Sequence, residues 1–461
     1  MSQRDILWIT LESIRFDHTS LASHDRETTP NLSALASEGQ SFDQCFSHDI
    51  WTRSSSASIL TGQAPSAHRT WSTDAKLPDE ITTIPEAFGS AGYRTACISP
   101  NGQLSASTGL DRGFDDFHYL VKSSLLSEAG PTSVAKWLLN FRRHSGGLTT
   151  DGNQHCVGYL GNEIAKKHIR NAGADDEPLF LYIHHGDSHH AYVPPVTWRD
   201  RFVDDLPVTV DEAVDIALDM SSNLHRYIAQ DDPFTDEEWQ ALRVMYDSAI
   251  AYVDSLAGEL IDYAQANLSD PIVVVTADHG ELFDEHGLLA HMLTTHSAVS
   301  RVPLVVSGLD GLPNGGLVQH ADVMQILCSE LDVDHPVPVG QDVRDRRRDV
   351  AVTQRGGVRA RGKLEAISAY NERFPVGDFP AGDLTTLRTQ GYRYDTAGSY
   401  SRLFERPSED VDQRDGNQDT VDRFRNRAEE WLERFGQPIG ETRTAQFNAE
   451  TRKQLDDLGY L

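Results

Sequence analysis

The stretch Asp5-Ile6-Leu7-Trp8-Ile9-Thr10-Leu11-Glu12 decides the fold. Residues 6–11 are almost continuously apolar, and a carboxylate follows them directly. Such a run, without polar alternation, predicts a short strand that is buried on both faces of a sheet. Further strands of this kind are predicted at Arg94–Ser99, Pro178–His184, Ile272–Thr276 and Val302–Ser307.

Segments with helical periodicity lie between these strands. They are Pro30–Glu38, Thr82–Ser90, Asn162–Asn171, Glu237–Ala266 and Ala321–Leu331. Buried strands that alternate with helices are typical of an α/β fold, in which helices sandwich a mostly parallel sheet. Ligands bind such sheets beyond the carboxyl ends of the strands. The polar residues at those ends are therefore the candidates for function.

The character of the chain changes after Val343. Arginine and aspartate become dense, and short strand-like pieces follow at Ala351–Thr353, Gly357–Arg361 and Gly391–Tyr394. An amphipathic helix is predicted at Asp419–Phe435. We therefore expect a catalytic α/β domain over residues 1–345 and a small α+β subdomain over residues 346–461.

The chain has 461 residues and a formal net charge of −29, from 41 basic and 70 acidic residues. So acidic a surface repels nucleic acid and anionic membranes, and an anionic substrate needs local positive potential. Because the acid excess is spread along the chain and arginine far outnumbers lysine, we hypothesise a halophilic source. The four cysteines form no paired motif. No signal peptide precedes the first strand and no apolar stretch reaches bilayer length, so a cytoplasmic location without membrane insertion is expected.

Four polar clusters follow predicted strands or open a predicted helix. They are Glu12–His18, Trp51–Gly62, His184–His190 and Thr276–Gly280, with Glu285-His286-Gly287 and His291 beyond the last. Taken singly, each cluster has a structural explanation: a carboxylate often caps a helix, and a serine-rich stretch is often a loop. Their shared position at strand ends favours a common site.

The residue types in these clusters point to a metal-assisted ester reaction. Glu12, Asp278 and His279 offer the oxygen and imidazole ligands that a divalent cation accepts. A cation beside the Thr52 hydroxyl would stabilise its alkoxide. Thr52 also opens a predicted helix, whose N-terminus favours an anionic ester. Arg53 and His189 could bind the non-bridging oxygens.

In these clusters the chain resembles the sulfatase branch of the alkaline phosphatase superfamily. Motifs in the order of that family run over the first 300 or so residues and include the metal-ligand strand at Ile9–His18. The other similar segments are Thr29–Gly39, Ser58–Gly62, Gly109–Asp115, His184–Pro195, Thr276–Pro303 and the C-terminal Asp457–Tyr460.

The resemblance implies roles for single residues. Counted back from Thr61-Gly62, the family signature C/S-x-P-S-R-x-x-L-x-T-G places the nucleophile at Thr52, its proline at Ser54 and its arginine at Ser56. The first acidic metal ligand falls on Glu12, and its usual acidic neighbour is Ser13. The later metal ligands fall on Asp278 and His279, the substrate-binding histidine falls on His189, and a sulfate-binding lysine is replaced by His291.

The threonine changes the chemistry that the resemblance implies. Sulfatases of this type convert Cys or Ser to formylglycine, whose second hydroxyl expels sulfate, and threonine has only one hydroxyl. Thr nucleophiles occur among the superfamily's phosphodiesterases and phospho-head-group transferases. We therefore expect phosphate mono- or diester hydrolysis with one divalent ion (Mn, Mg, Ca or Zn) at Glu12, Thr52, Asp278 and His279.

In this scheme His189 or His291 would protonate the leaving group or bind an oxygen. Arg53 would neutralise charge if its side chain faces the site, and Asp187 would support His189. The substrate would be a small-molecule, glycan or lipid-head-group ester. A sulfatase, a phospho-head-group transferase and an inactive binding homologue remain as alternatives.

Overall fold

The computed structural model describes residues 4–174, 177–441 and 443–457. In chain order its strands are β1 Ile6–Leu11, β2 Gln40–Phe46, β3 Ala75–Lys76, β4 Arg94–Ser99, β5 Asp116–Tyr119, β6 Leu179–His185, β7 Ile272–Ala277, β8 Leu282–Phe283, β9 Leu289–Ala290, β10 Arg301–Ser307, β11 Ala351–Arg355, β12 Leu384–Arg388, β13 Tyr392–Ala397, β14 Tyr400–Glu405 and β15 Arg443–Thr444.

The α-helices are α1 Pro30–Glu38, α2 Thr52–Thr61, α3 Pro65–His68, α4 Ile84–Ser90, α5 Leu125–Leu139, α6 Phe141–His144, α7 Gly158–Ala172, α8 Val210–Ser222, α9 Leu224–Ile228, α10 Asp236–Asn267, α11 Ser297–Ser300, α12 His320–Glu330, α13 Gly357–Ser368, α14 Gln418–Phe435 and α15 Ala449–Asp457.

A seven-stranded sheet with the order β2-β10-β7-β1-β6-β4-β5 organises the first part of the chain. Strand β1 lies in its centre, pairs in parallel with β6 and β7, and is buried along its whole length. Strand β10 runs antiparallel to both β7 and β2. The mostly parallel sheet flanked by helices, predicted from the buried runs, is confirmed.

The helices cover the sheet in two groups. Helices α1, α5, α7, α8 and α10 pack against one another, and so do α2, α3, α4 and α12. The predicted helices are all present, and Pro30–Glu38 has the predicted bounds. The long helix α10 begins after Thr235, which forms a capping box with Glu238. The capping box fixes the start of the helix, and the acidic residues that follow Thr235 form its first turn.

A four-stranded antiparallel sheet, β11-β12-β13-β14, forms the predicted C-terminal subdomain. Helix α14 packs on it through Val421, Phe424 and Ala428 and matches the predicted amphipathic helix. The boundary at residue 345 stays a prediction, and residues 458–461, with most of the C-terminal motif, lie outside the described residues.

One predicted strand is wrong. Gly357–Arg361 is the beginning of helix α13, not a strand. Ala360, Leu364 and Ile367 recur at helical spacing and are buried, whereas Val358 is exposed. The glycines at 357 and 362 lower helix propensity and obscured this pattern, which packing against the main core makes stable.

The parallel strands carry the polar clusters to one edge. Glu12 follows β1, Asp278 and His279 follow β7, and Asn101 lies just beyond β4. Strands β7 and β1 are neighbours in the sheet, and β6 lies between β1 and β4. Among the described residues, no helix is both long enough and apolar enough to cross a bilayer.

Candidate active site

Thr52 occupies the first turn of α2 and is fully buried. The preceding residue, Trp51, is the N-cap and has extended backbone geometry, so helix α2 begins at Thr52. The Thr52 hydroxyl donates to Glu12 Oε1 at 3.0 Å and lies 3.4 Å from His279 Nε2. The nucleophile candidate thus contacts residues that follow two different strands.

Asp278 is held so that one carboxylate oxygen faces the same space. Its Oδ1 accepts the backbone N–H groups of Ser13, at 3.0 Å, and of His279, at 2.9 Å. Its Oδ2 is buried, accepts no hydrogen bond and lies 3.4 Å from His279 Nε2. Ser13 has a left-handed backbone (φ 59°), a strained geometry that aims its N–H at Asp278.

The imidazole of His279 is oriented by its other nitrogen. Nδ1 lies 2.9 Å from the Gly280 carbonyl, so it carries the proton and leaves a lone pair on Nε2. That lone pair, the orphaned Asp278 Oδ2 and the Glu12 carboxylate converge beside Thr52 Oγ1. Ligand atoms of Glu12, Asp278 and His184 also lie within 4.8 Å of one another. This donor set fits a divalent cation.

Glu12 is kept ionised by its surroundings. Burial alone would raise its pKa, but the contact with His184 and the charges of nearby histidines outweigh burial and lower the pKa of Glu12 to about 2. His184 Nε2 lies 3.3 Å from Glu12 Oε2, and Asn101 Nδ2 donates to Oε1. His184 and Asn101 were not predicted as site residues.

Three imidazoles stand beside the carboxylates. The rings of His189 and His190 lie 4.0 Å apart, and the His291 ring lies 5.2 Å from His189 and 4.5 Å from His279. Glu281 Oε1 lies 3.2 Å from His291 Nδ1. Burial lowers the pKa of His189 and lowers that of His291 far more. The structure thus brings His189 and His291 together beside the carboxylates, and their catalytic roles stay a prediction.

Arg53 is directed elsewhere. Its guanidinium donates to Gln103 Oε1 at 2.7 Å and to the carbonyls of Ser72, at 2.8 Å, and Ala75, at 2.9 Å. It also lies over the Trp51 ring at 5.2 Å. These contacts indicate that Arg53 anchors the start of α2, and its contact with substrate stays a prediction.

The expected support of His189 by Asp187 is wrong. The Asp187 carboxylate accepts the backbone N–H groups of Val157, at 3.1 Å, and Gly158, at 2.8 Å, where α7 begins. Both N–H groups lie at the N-terminus of α7, where the helix itself supplies no acceptor, and the buried carboxylate binds there. His189 Nδ1 instead meets the His190 carbonyl at 2.8 Å.

Two further groups of ligand-type side chains are present. One is the imidazole cluster His189, His190 and His291 described above, and the other is His18, His24 and Asp247. Asp247 is already engaged there, because Arg26 Nη1 donates to its Oδ2 at 2.6 Å. A guanidinium at that distance opposes a cation, so the group near Thr52 is the better metal-site candidate.

The order of the motifs and the geometry of the site agree with the match of the chain to a known family. The sulfatase family model matches residues 4–328. The chain belongs to the sulfatase family. It is therefore placed in the sulfatase-like branch of the alkaline phosphatase superfamily, as the sequence resemblance implied.

Individual relatives are distant. The chain is 22% identical over 324 residues to an uncharacterised sulfatase, YidJ, of Escherichia coli, covering 67% of this chain and 64% of that protein. It is 26% identical over 308 residues to a choline-sulfatase of Rhizobium meliloti, covering 60% and 57%. The chain thus spans less than two thirds of these relatives.

A solved structure covers more of the chain. The phosphonate monoester hydrolase of Silicibacter pomeroyi aligns with a TM-score of 0.68 and 19% identity, over 94% of this chain and 96% of that one. At that identity the likeness establishes the fold.

Proposed function

We propose that this protein hydrolyses phosphate mono- or diesters, with Thr52 as the nucleophile. The observation that carries the proposal is the position of the Thr52 hydroxyl, which is buried at a helix N-terminus and contacts both Glu12 and His279. A threonine cannot become formylglycine, so it must attack as a simple alcohol. A phosphothreonine can be opened by water in line, whereas a sulfothreonine lacks an elimination route.

Glu12, Asp278 and His279 would hold one divalent cation with the Thr52 oxygen, and when bound there it would favour the alkoxide and neutralise charge on the ester. The residues present fit this role, because Asp278 Oδ2 is buried without a hydrogen bond and the His279 Nε2 lone pair faces Thr52. The identity of the ion is open among Mn, Mg, Ca and Zn.

The protein's own residues then account for the two displacements. Thr52 Oγ1 forms a bond to phosphorus while the ester P–O bond breaks, and the proton released by Thr52 is returned to the leaving oxygen through His189 or His291. Water next attacks phosphorus, the P–Oγ1 bond breaks, and Thr52 regains a proton. The N-terminus of α2 faces the negative charge that the phosphoryl oxygens carry.

The test is the substitution Thr52→Ala, with Thr52→Ser as the matched control. We expect Thr52→Ala to lower kcat by at least about a thousand-fold on chromogenic phosphate mono- and diesters, because the attacking oxygen is gone. Thr52→Ser keeps that oxygen and should retain activity. Metal content, measured by atomic emission, should persist in both variants. Full activity of Thr52→Ala would refute the mechanism.

A sulfatase activity is the second candidate. It is favoured by family membership and by the choline-sulfatase among the relatives. Paired aryl phosphate and aryl sulfate substrates with the same leaving group separate the two. Faster release of sulfate than of phosphate by the wild-type protein would replace the phosphoester proposal with this one.

A further inference from the structure

A cationic cleft opens next to the proposed nucleophile. Its wall includes Trp51, Trp71, Leu293, Arg355, Arg359 and Lys363. The two tryptophans and the leucine give it apolar sides. The three cations come from the C-terminal part of the chain, at the end of β11 and in the first two turns of α13.

Two of the three cations lie on helix α13, which the sequence did not predict. Arg359 and Lys363 are four residues apart in α13, so they lie on the same face. Arg355 is buried, and its Nη1 and Nη2 donate to the carbonyls of Gly382 and Pro380, at 3.1 and 2.8 Å. Those partners are neutral, and Arg355 Nε makes no hydrogen bond. The charge of Arg355 therefore has no carboxylate hydrogen-bonded to it.

The cleft adjoins the catalytic residues. Trp51 precedes Thr52 directly, and the Arg359 guanidinium lies 4.5 Å from the centre of the Trp51 ring. Leu293 is two residues beyond His291. Burial is the largest cause of the lowered pKa of His190, and the neighbouring His189 is the second. The positive charges of Lys363 and Arg359 lower this pKa further. A molecule whose ester group reaches Thr52 would therefore extend into the cleft.

We propose that this cleft binds a second anionic group of the substrate, a carboxylate, sulfate or phosphate carried on the organic part of the ester. This inference deepens the proposed function, because it names the substrate class of the same site. Guanidinium and ammonium groups bind such oxyanions through charge-assisted hydrogen bonds, and the apolar walls would pack on the ring or carbon chain between the two anions. In a chain of net charge −29, this local positive potential would attract a doubly anionic substrate.

The experiment compares 3-carboxyphenyl phosphate with phenyl phosphate, which differ only in the second anion. We expect kcat/KM to be at least about tenfold higher for the carboxylated ester. In Arg359→Gln and Lys363→Gln this preference should fall about tenfold, which corresponds to about 1.4 kcal/mol. Arg361→Gln is the matched control, because Arg361 is an exposed cation of the same helix, and it should keep the full preference.

Binding gives a readout that does not depend on turnover. Calorimetric titration of both esters into Thr52→Ala should show tighter binding of the carboxylated ester, lost when Arg359→Gln or Lys363→Gln is added. Equal kcat/KM for the two esters, or a preference unchanged in both cleft variants, would overturn the cleft proposal while hydrolysis stands. Selective binding without hydrolysis of either phosphate would support the cleft and refute the proposed function.

The pH dependence of the preference is a further check. Burial lowers the pKa of Lys363 to about 7 and raises that of Asp49, also in the cleft wall, to about 7. As pH rises through 7, Lys363 loses its positive charge and Asp49 gains a negative one, so the preference should decline. A preference that increases from pH 6 to pH 8 would contradict this arrangement. The other charged or titratable groups that face Lys363 or Asp49 are Arg355, Arg359, His190 and His225.

Discussion

Replacing Glu409 by glutamine should destabilise the protein more than any substitution of an exposed acid. Glu409 is fully buried between the C-terminal sheet and the catalytic part of the chain. One carboxylate oxygen lies 3.0 Å from Arg393 Nη1 and also accepts the Ser297 N–H at 3.0 Å. The other lies 3.7 Å from Arg388 and 3.5 Å from Arg406.

The magnitude follows from those contacts. Arg388 and Arg393 are as fully buried as Glu409. Removing the carboxylate takes from Arg388 the carboxylate paired with it, whereas Arg393 keeps Asp395 at 2.6 Å, so the loss falls mainly on Arg388. Breaking one side of a buried ion pair costs about 3–5 kcal/mol. Glutamine can still accept from Ser297, which places the expected loss near 3 kcal/mol. That is a large fraction of the about 5–15 kcal/mol by which proteins are stable.

The effect should also depend on pH. Burial raises the pKa of Glu409, but the charges of Arg393 and Arg388 outweigh it and hold that pKa well below its usual range. A carboxylate with a depressed folded pKa stabilises the protein above the unfolded value, about 4.3, and loses this contribution as pH falls towards the folded pKa. The stability difference between wild type and Glu409→Gln should therefore be full at pH 7 and shrink below about pH 4.

Urea unfolding followed by tryptophan fluorescence measures the difference. With a slope of about 3 kcal/mol per molar urea, the midpoint of Glu409→Gln should fall by about 1 M. Glu405→Gln is the matched control, since Glu405 is an exposed acid at the end of β14, and its midpoint should be unchanged. The reasoning would be refuted if the two variants unfolded at the same urea concentration, or if the difference grew on acidification.

Three further predictions concern the metal, the site backbone and salt. Removal of metal by EDTA should abolish turnover and lower Tm, because it leaves the Glu12 and Asp278 carboxylates facing each other; turnover that survives chelation would contradict the ligand set. Gly186→Ala should lower metal affinity by about tenfold or more, since a Cβ there would lie 2.9 Å from Glu12 Oε2; isothermal titration of the apoprotein measures it. Tm should rise from low to molar KCl, because salt screens the net charge of −29, and an unchanged Tm would count against a halophilic source.

The meeting of Glu12 with Asp278 and His279 could be predicted because these residues follow strands with a continuous apolar pattern. The runs before Glu12 and Asp278 are buried on both faces, and parallel strands bring their carboxyl ends to one edge. Thr52 was placed by its distance from Thr61-Gly62. The structure brings Glu12, Thr52, Asp278 and His279 together, and their roles as metal ligands and nucleophile stay a prediction.

Residues without a local signal were missed or misplaced. Asn101 follows a predicted strand, but an amide after a strand is indistinguishable from a turn residue in sequence. Asp187 was expected to support His189, and only the position of α7 shows that its carboxylate is used by backbone N–H groups instead. Side-chain direction at a strand end depends on the next element, which a local pattern does not contain.

The cleft shows the same limit at a larger scale. Its cations lie about 300 residues beyond Trp51 in the sequence, and α13 has a weak helical pattern because Gly357 and Gly362 interrupt it. A strand at 357–361 would have placed Arg359 and Arg361 on one face, whereas the helix pairs Arg359 with Lys363 and leaves Arg361 exposed. The variants Arg359→Gln and Arg361→Gln therefore test the secondary structure and the substrate class together. Only the helix predicts that the first lowers the preference for a doubly anionic ester and the second does not.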